Sequence, residues 1–354
     1  MRILFIAPYP IGLAASQRFR FEQYFSLLQS KNISYDTTSF LSEHVWEELY
    51  AKGHFFKKVF FLFLGYIRRY ALLLKVHRYS YIFVHREIVP FGPPVIEFIL
   101  VKILRKKIIY DFDDAIWIKN SSESNKLFSV FKWFSNVKYL CKLAYKVSCG
   151  NEYLCNFARQ FNAQTVYNPT TIDTESHHNK KQIHTGDKFV IGWTGSHSTV
   201  KYLNELLPVF QRLEQKIQFE LVVISDVAPT FQLNSMRFIK WNKQSEIEDL
   251  LNFSIGLMPL PNDQWANGKC GFKALQYMAL GIPALVSPVG VNTRIVDNGI
   301  NGYYCSTSDE WERAILSLYE SQELLSAMSN RTQQKIIQEY SVSSNSANFL
   351  SLFS

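Results

Sequence analysis

Short apolar runs recur along the chain, separated by longer amphipathic stretches. Residues 2–7 (RILFIA), 81–86 (YIFVHR), 107–112 (KIIYDF) and 146–150 (KVSCG) have the length and composition of buried strands. A helical pattern follows the first of them: QRFRFEQYFSLLQ (17–29) places Phe21, Tyr24, Phe25 and Leu28 on one side, with Ser16 available as a cap. From residue 188 the alternation restarts. KFVIGWTG (188–195), FELVVIS (219–225), RFIKW (237–241), SIGLMPL (254–260) and PALVSPV (283–289) read as strands. TVKYLNELLPVFQRL (199–213), QSEIEDLLN (244–252), FKALQYMAL (272–280) and the stretch 308–340 read as helices. Strands alternating with helices predict parallel sheets with crossover helices, an α/β chain of two Rossmann-like domains. Such sheets bind ligands at the carboxyl ends of their strands, so two of them facing each other are expected to hold a ligand in the cleft.

Between the two series, NPTTIDTESHHNKKQIHTGD is polar and without period. The expected organisation is a first domain over 1–168, a linker over 169–187, a second domain over 188–330, and a last helix, 331–354, returning to the first domain. His177 and His178 read as solvated linker residues rather than metal ligands.

The chain's 354 residues, 47% hydrophobic and 19% charged, can bury two cores. Five scattered cysteines form no CxxC pair, which argues against a disulfide framework or a zinc site and for a reducing compartment. The apolar part of MRILFIAPYP is too short for a signal peptide and reads as the first strand, so a cytoplasmic protein is expected. Charge is uneven: residues 1–110 hold 16 of the 38 Lys/Arg but only 7 of the 30 Asp/Glu. The excess lies in 57–107, where aromatic and basic residues interleave. Its unbroken apolar part, Val59 to Ile67, is too short to span a bilayer. A basic, aromatic helix suits the surface of an anionic membrane; the plain alternative is a core helix whose bases reach outward. No nucleic-acid-binding module accompanies the charge.

Two loops of the second domain are suited to anions. After the strand ending at Gly195, Ser196, Ser198 and Thr199 offer hydroxyls, and Lys201 lies near the start of a helix. This is not a Walker A loop, and a capped turn with an exposed lysine would look the same. The second loop contains Gly268, Lys269 and Gly271 just before the helix 272–280, and glycine there permits close approach of a ligand. Two such loops after strand ends fit one ligand with two phosphates, a nucleoside diphosphate. In the first domain, YDFDDAIW (110–117) gathers three carboxylates. They are suited to a divalent metal, to a phosphatase nucleophile, or to orienting substrate hydroxyls. Gly12 lets the loop after the first strand come close to a ligand. Arg18 and Arg20, two apart, cannot share a helix face, so one is expected to face the cleft, Arg18 by preference, and the other to point outward. HRE (85–87) ends another strand, where His85 reads as a satisfied histidine of the sheet. No Ser-His-Asp or Cys-His constellation is discernible.

GWTGSHSTVKYL, GKCGFKALQYMALGIPALVSPVGVNTRIVDNGINGYYC, YDFDDAIW and ASQRFRFEQY together resemble the retaining GT-B glycosyltransferases of family 4, particularly those of bacterial surface-polysaccharide synthesis. The resemblance spans almost the whole chain. It implies a GT-B fold and, in the second domain, a nucleoside-diphosphate-sugar donor without metal or other cofactor. Lys201 falls on the family's diphosphate lysine, while Ser196 replaces its arginine, so Lys269 is expected to stand in. The family's two glutamates, eight positions apart in number, fall on Gly268 and Gln276. Gln276 is then expected to accept from the ribose less strongly than a carboxylate. The donor sugar would meet backbone N–H groups around Cys270, Gly271 and Phe272. Asp113 and Asp114 lie where many relatives present a histidine to the donor sugar, and they are the candidates for the catalytic, acceptor-side polar group. The implied activity is retaining transfer to a glycan acceptor, expected to be lipid-linked, and the basic 57–107 region is expected to dock the enzyme on the inner membrane face. An epimerase on the same fold and a non-catalytic nucleotide-sugar-binding protein are the alternatives. Base, sugar and linkage depend on loops such as 117–130 and 226–236 and are not legible.

Overall fold

The computed structural model describes residues 1–50, 55–118, 136–183 and 188–354, so part of the linker (184–187) and of the 117–130 loop lies outside the described residues. The chain forms two compact units, Met1–Thr170 with Ser346–Ser354, and Thr171–Asn345.

The first unit is built on six strands: β1 (Arg2–Ala7), β2 (Ser34–Ser39), β3 (Tyr81–His85), β4 (Lys107–Phe112), β5 (Lys146–Cys149) and β6 (Thr165–Tyr167). All neighbours are parallel, in the order β2-β1-β3-β4-β5-β6. The chain moves outward from β1 in both directions, so the sheet has a switch point between β1 and β3. The expected helix 17–29 is broken into Ala15–Arg18, a 3₁₀ turn Glu22–Tyr24 and Phe25–Ser30. Ser16 is not its cap; Ala14 holds that position, without a side-chain bond. Tertiary anchoring overrides the helical pattern here, because Arg20 is drawn inward to Asp111 of β4 and Phe21 takes φ −139°. Ser346–Ser351 forms the last helix, where Phe349 stacks on Tyr24 at 4.0 Å and Asn348 Nδ2 donates to Tyr167 O.

The second unit has β7 (Val190–Thr194), β8 (Glu220–Ser225), β9 (Met236–Lys240), β10 (Ile255–Met258), β11 (Ala284–Val286) and β12 (Gly302–Tyr304). They are parallel in the order β12-β11-β10-β7-β8-β9. Counted from β7, this is the 3-2-1-4-5-6 arrangement of dinucleotide-binding sheets, with its switch point between β7 and β10. Ile191, Trp193, Leu221 and Val223 bury one face against Phe210, Trp311 and Ile315 of the flanking helices. The segment at 199–213 is a 3₁₀ turn, Val200–Leu206, followed by a helix, Leu207–Glu214, with Pro208 in its first turn, where a missing N–H costs nothing. His178 is buried rather than solvated: its N–H donates to Asp173 O, and Ile172 beside that turn bridges to Ser341. The five cysteines are buried and free.

Tyr277, in the helix Phe272–Ala279, pins the second sheet's switch point. Its hydroxyl accepts from Thr194 N–H at 2.8 Å, after which it reaches Leu257 O at 3.4 Å. Room for the ring comes from Gly256, where a Cβ would stand 2.3 Å from it. Gly256→Ala is therefore expected to cost about 1–3 kcal/mol through overpacking, read as a lower urea midpoint at unchanged slope.

Candidate functional site

In the first unit, polar side chains gather at the carboxyl ends of β1, β3 and β4. The loop after β1 turns at Gly12, at φ 84°, and the Gly12 N–H donates to Glu22 Oε2 at 2.8 Å. Gln17 braces it: Tyr9 N–H donates to Gln17 Oε1, while Gln17 Nε2 donates to Tyr9 O and Glu22 Oε1. Burial raises the Glu22 pKa against the opposing pull of these bonds. Arg18 is buried with its guanidinium over the Phe19 ring.

Arg20 does not point outward. It is fully buried and donates to both Asp111 oxygens, to Asn168 O and to Ser148 Oγ. Asp111 also accepts from Ser148 Oγ at 2.6 Å, and His85 Nδ1 lies 2.8 Å from its second oxygen. Burial acts to raise the Asp111 pKa, yet the Arg20 charge and the His85 contact outweigh it and hold the carboxyl well below its usual range. The helix ends at Arg18, so Arg18 and Arg20 share no helix and helical spacing does not set the direction of Arg20.

Asp113 and Asp114 share one guanidinium. Arg86 Nε donates to Asp113 Oδ1 at 2.8 Å and Arg86 Nη2 to Asp114 Oδ2 at 2.7 Å, with all three side chains partly exposed. Arg86 takes φ 61°, a conformation rare for any residue other than glycine. Its N–H donates to Asp111 O and its carbonyl accepts from Tyr110 Oη, which fix it there. Burial works against its charge, but the two aspartates prevail and raise its pKa further. Two carboxylates on one cation leave the trio net negative, an acceptor surface for hydroxyl donors.

In the second unit, the loops after β7, β10 and β11 converge. Gly195 N–H donates to Ile224 O, and a Cβ at Gly195 would meet the Trp193 ring at 2.3 Å. Ser196 N–H donates to Thr199 Oγ1 at 3.2 Å, and the Ser196 and Ser198 hydroxyls lie 2.9 Å apart. Asp226, directly after β8, holds this loop: it accepts from His197 N–H at 2.6 Å and faces His197 Nδ1 at 2.8 Å. Its partial burial would raise its pKa, but the His197 bonds lower it. Lys201 is exposed, its Nζ 5.3 Å from the Tyr202 ring centroid. Because a 3₁₀ turn follows, no α-helix begins directly at this loop, whose polar groups are the hydroxyls and the lysine.

The helix Phe272–Ala279 does begin at its loop. Gly271, at φ 70°, is the residue before it and supplies no side-chain cap, so the first-turn N–H groups face the loop. A Cβ on Gly271 would stand 2.1 Å from Ile295 Cδ1, and one on Gly290 would stand 3.0 Å from Asn267 O, which shows how closely the loops after β10 and β11 approach. Ser287 Oγ ties them by accepting from Leu260 N–H at 3.0 Å. Cys270 is buried, with Sγ near Gly268 O, and Phe272 is half-buried. Lys269 is half-buried beside the Trp265 ring at 5.0 Å. A third base, Lys273, was not expected from the sequence; its Nζ lies 5.5 Å from the Trp193 ring, at the end of β7. The signal for it was its spacing, four residues before Tyr277, on the helix face turned to that strand. Gln276 is buried and donates through Nε2 to Glu246 Oε1 at 3.2 Å.

Residues 173–335 match the family described as "Glycosyl transferases group 1". No curated protein matches the chain. Among solved structures, it is similar to sucrose-phosphate synthase from Thermosynechococcus elongatus, at 10% identity and TM-score 0.69, covering 99% of this chain and 98% of that one. A glycosyltransferase from Rickettsia africae gives 12% identity and TM-score 0.69, over 99% and 97% of the two chains. Anabaena HepE in complex with UDP gives 16% identity and TM-score 0.64, over 99% and 100%. HepE has also been solved with UDP-glucose. The two parallel α/β units thus have the fold of the GT-B class.

Proposed function

We propose that this protein is a glycosyltransferase that moves a sugar, with retention, from a nucleoside-diphosphate sugar to a glycan carried on a membrane lipid, in surface-polysaccharide synthesis. The observation that carries the reading is the convergence of two anion-suited loops at the β7/β10 switch point, inside the residues that match the glycosyltransferase family. The binding of UDP and UDP-glucose by HepE supports it.

In this reading Lys201, Lys269 and the N–H groups at Gly271 and Phe272 take the diphosphate, and Lys273 adds a base the resemblance does not supply. Gly195, Ser196 and Thr199 shape the loop beside it, and Cys270 lies in the loop that meets the sugar. The first unit serves the acceptor through the Asp113–Asp114–Arg86 trio, which receives hydroxyls, while Gly12 and Arg18, near the end of β1, contribute to donor binding. The acceptor oxygen bonds to the anomeric carbon on the face from which the diphosphate departs. Its proton passes to the leaving phosphate oxygen. The protein's work is orientation and stabilisation of the departing charge, which needs no metal or cofactor. Incubating the enzyme with UDP-, GDP- or ADP-sugars and lipid-linked oligosaccharide, then assigning the anomer by NMR, tests the reading. An inverted product contradicts retention. Conversion of the donor without acceptor favours an epimerase, and nucleotide binding without turnover favours a non-catalytic protein.

Membrane contact fits the helix Phe55–Leu72. Phe56, Phe60, Phe63 and Ile67 lie at helical spacing and are exposed, Phe56 at 87%, while Gly65 on the opposite side lies against Phe40. No helix among the described residues is long and apolar enough to cross a membrane. An apolar stripe on a segment that also carries Lys57, Lys58 and Lys75 suits the inner face of an anionic bilayer. Replacing these three lysines with glutamate is expected to lower binding to phosphatidylserine vesicles at least tenfold, at about 1 kcal/mol per charge. Sedimentation with vesicles checks this, and unchanged binding contradicts it.

A further inference from the structure

The second unit contains a buried polar pair that the donor reading leaves unused. Glu246 opens the helix Glu246–Leu250, after β9, and is 6% exposed; Gln276 lies after β10 and is 1% exposed. Gln276 Nε2 donates to Glu246 Oε1 at 3.2 Å, and Trp241 Nε1 approaches the same oxygen at 3.4 Å. In the sheet, β8 and β7 stand between β9 and β10. The pair therefore joins elements on either side of the two strands from which the Ser196–Thr199 loop and Asp226 emerge.

The helix face that carries Gln276 looks onto the end of β7. Lys273, Gln276 and Tyr277 stand at i, i+3 and i+4. Lys273 lies by Trp193, and Tyr277 accepts from Thr194 N–H. Phosphate-binding donors and the Gln276–Glu246 pair thus occupy neighbouring turns of one helix.

The direction of the amide bond decides the chemistry. Gln276 is a donor, so the acceptor here is the Glu246 carboxylate. N–H groups from two separate elements fix the orientation of that carboxylate. Vicinal hydroxyls are donors, and an acidic residue at a strand end is the usual ribose acceptor in nucleotide-binding sheets. Of the other carboxylates near these ends, Asp226 has both oxygens turned to His197 and secures the loop, and Asp263 caps the helix Gln264–Asn267 by accepting from Ala266 N–H.

We propose that Glu246, held by Gln276 and Trp241, takes the ribose hydroxyls of the bound nucleotide, with Gln276 a positioning residue rather than the ribose ligand. This rests on the nucleoside-diphosphate reading above. An acceptor carboxylate then replaces the amide oxygen that the sequence alone suggested.

The test is calorimetric titration with UDP, GDP and ADP and with their 2′,3′-dideoxy forms. For the ribonucleotide that binds, Glu246→Gln is expected to weaken binding about tenfold or more, the worth of a hydrogen bond to a charged group. The dideoxy form should bind variant and wild type alike. Gln276→Glu sets two carboxyl groups within hydrogen-bonding reach, so its affinity should fall at pH 7 and recover towards pH 5.5, where they share a proton. Should Glu246→Gln fail to fold, this pH profile carries the test. A variant that loses ribo- and dideoxynucleotide equally, or neither, overturns the ribose role, as does a flat pH profile for Gln276→Glu. If the wild type binds none of the three ribonucleotides, the donor reading itself fails and this inference with it.

Discussion

Replacing Asp111 with asparagine is expected to destabilise the first unit by about 3–5 kcal/mol, the cost of removing one member of a buried ion pair. Arg20 and Asp111 are both fully buried, and the substitution leaves the Arg20 guanidinium charged among strands without its counter-ion. Ser148, Asn168 and His85 complete the cluster, so a single loss also disturbs the bonds joining β3, β4 and β5. The pH dependence has a definite sign. The carboxyl pKa is depressed below its ordinary value of 3.8 in the folded protein, so its contribution is present above pH 3.8 and is lost as pH falls through the depressed folded value. Urea midpoints measured at neutral pH and in this acid range should therefore converge for wild type and Asp111→Asn as the pH falls. A neutral-pH difference below about 1 kcal/mol contradicts this account of the cluster.

Lys201→Ala is expected to have the opposite profile, with a small effect on stability and a large one on function. Lys201 is exposed at the β7 loop, so its removal should change stability by no more than about 0.5 kcal/mol. If it stabilises a departing diphosphate, its loss should lower kcat/KM by about 10²–10³, the usual effect of removing a charge-stabilising donor. Steady-state kinetics with the cognate donor checks this. A drop under threefold would mean that Lys269 and Lys273 suffice without it.

Among the described residues, apolar runs made nine of the twelve strands legible, eight of them central strands, which in a parallel sheet must be apolar on both faces. The strands that escaped, β2, β6 and β12, all lie at sheet edges. β2 reads SYDTTS and is half-exposed along its length, so it carries no apolar run to detect. The loops proposed for the diphosphate can be picked out from the sequence because their chemistry is local: hydroxyls, a lysine and glycines within a few residues of a strand end. What stayed hidden depends on residues far apart in sequence. Arg86 meets Asp113 and Asp114 only because β3 pairs with β4, and Gln276 meets Glu246 only because both elements return to the same end of the sheet. Arg20 turns inward for the same reason, since its partner lies 91 residues away.

The central claim is that the second unit binds a nucleoside diphosphate at the loops after β7 and β10. Its most direct test is thermal unfolding of wild type and Lys201→Ala with UDP, GDP, ADP or CMP, each with and without EDTA. A ligand that binds only the native state raises the melting temperature by mass action. The account predicts a rise with one nucleoside diphosphate, unchanged by EDTA and lost in Lys201→Ala. No rise with any of them, or an equal rise in the variant, would contradict it.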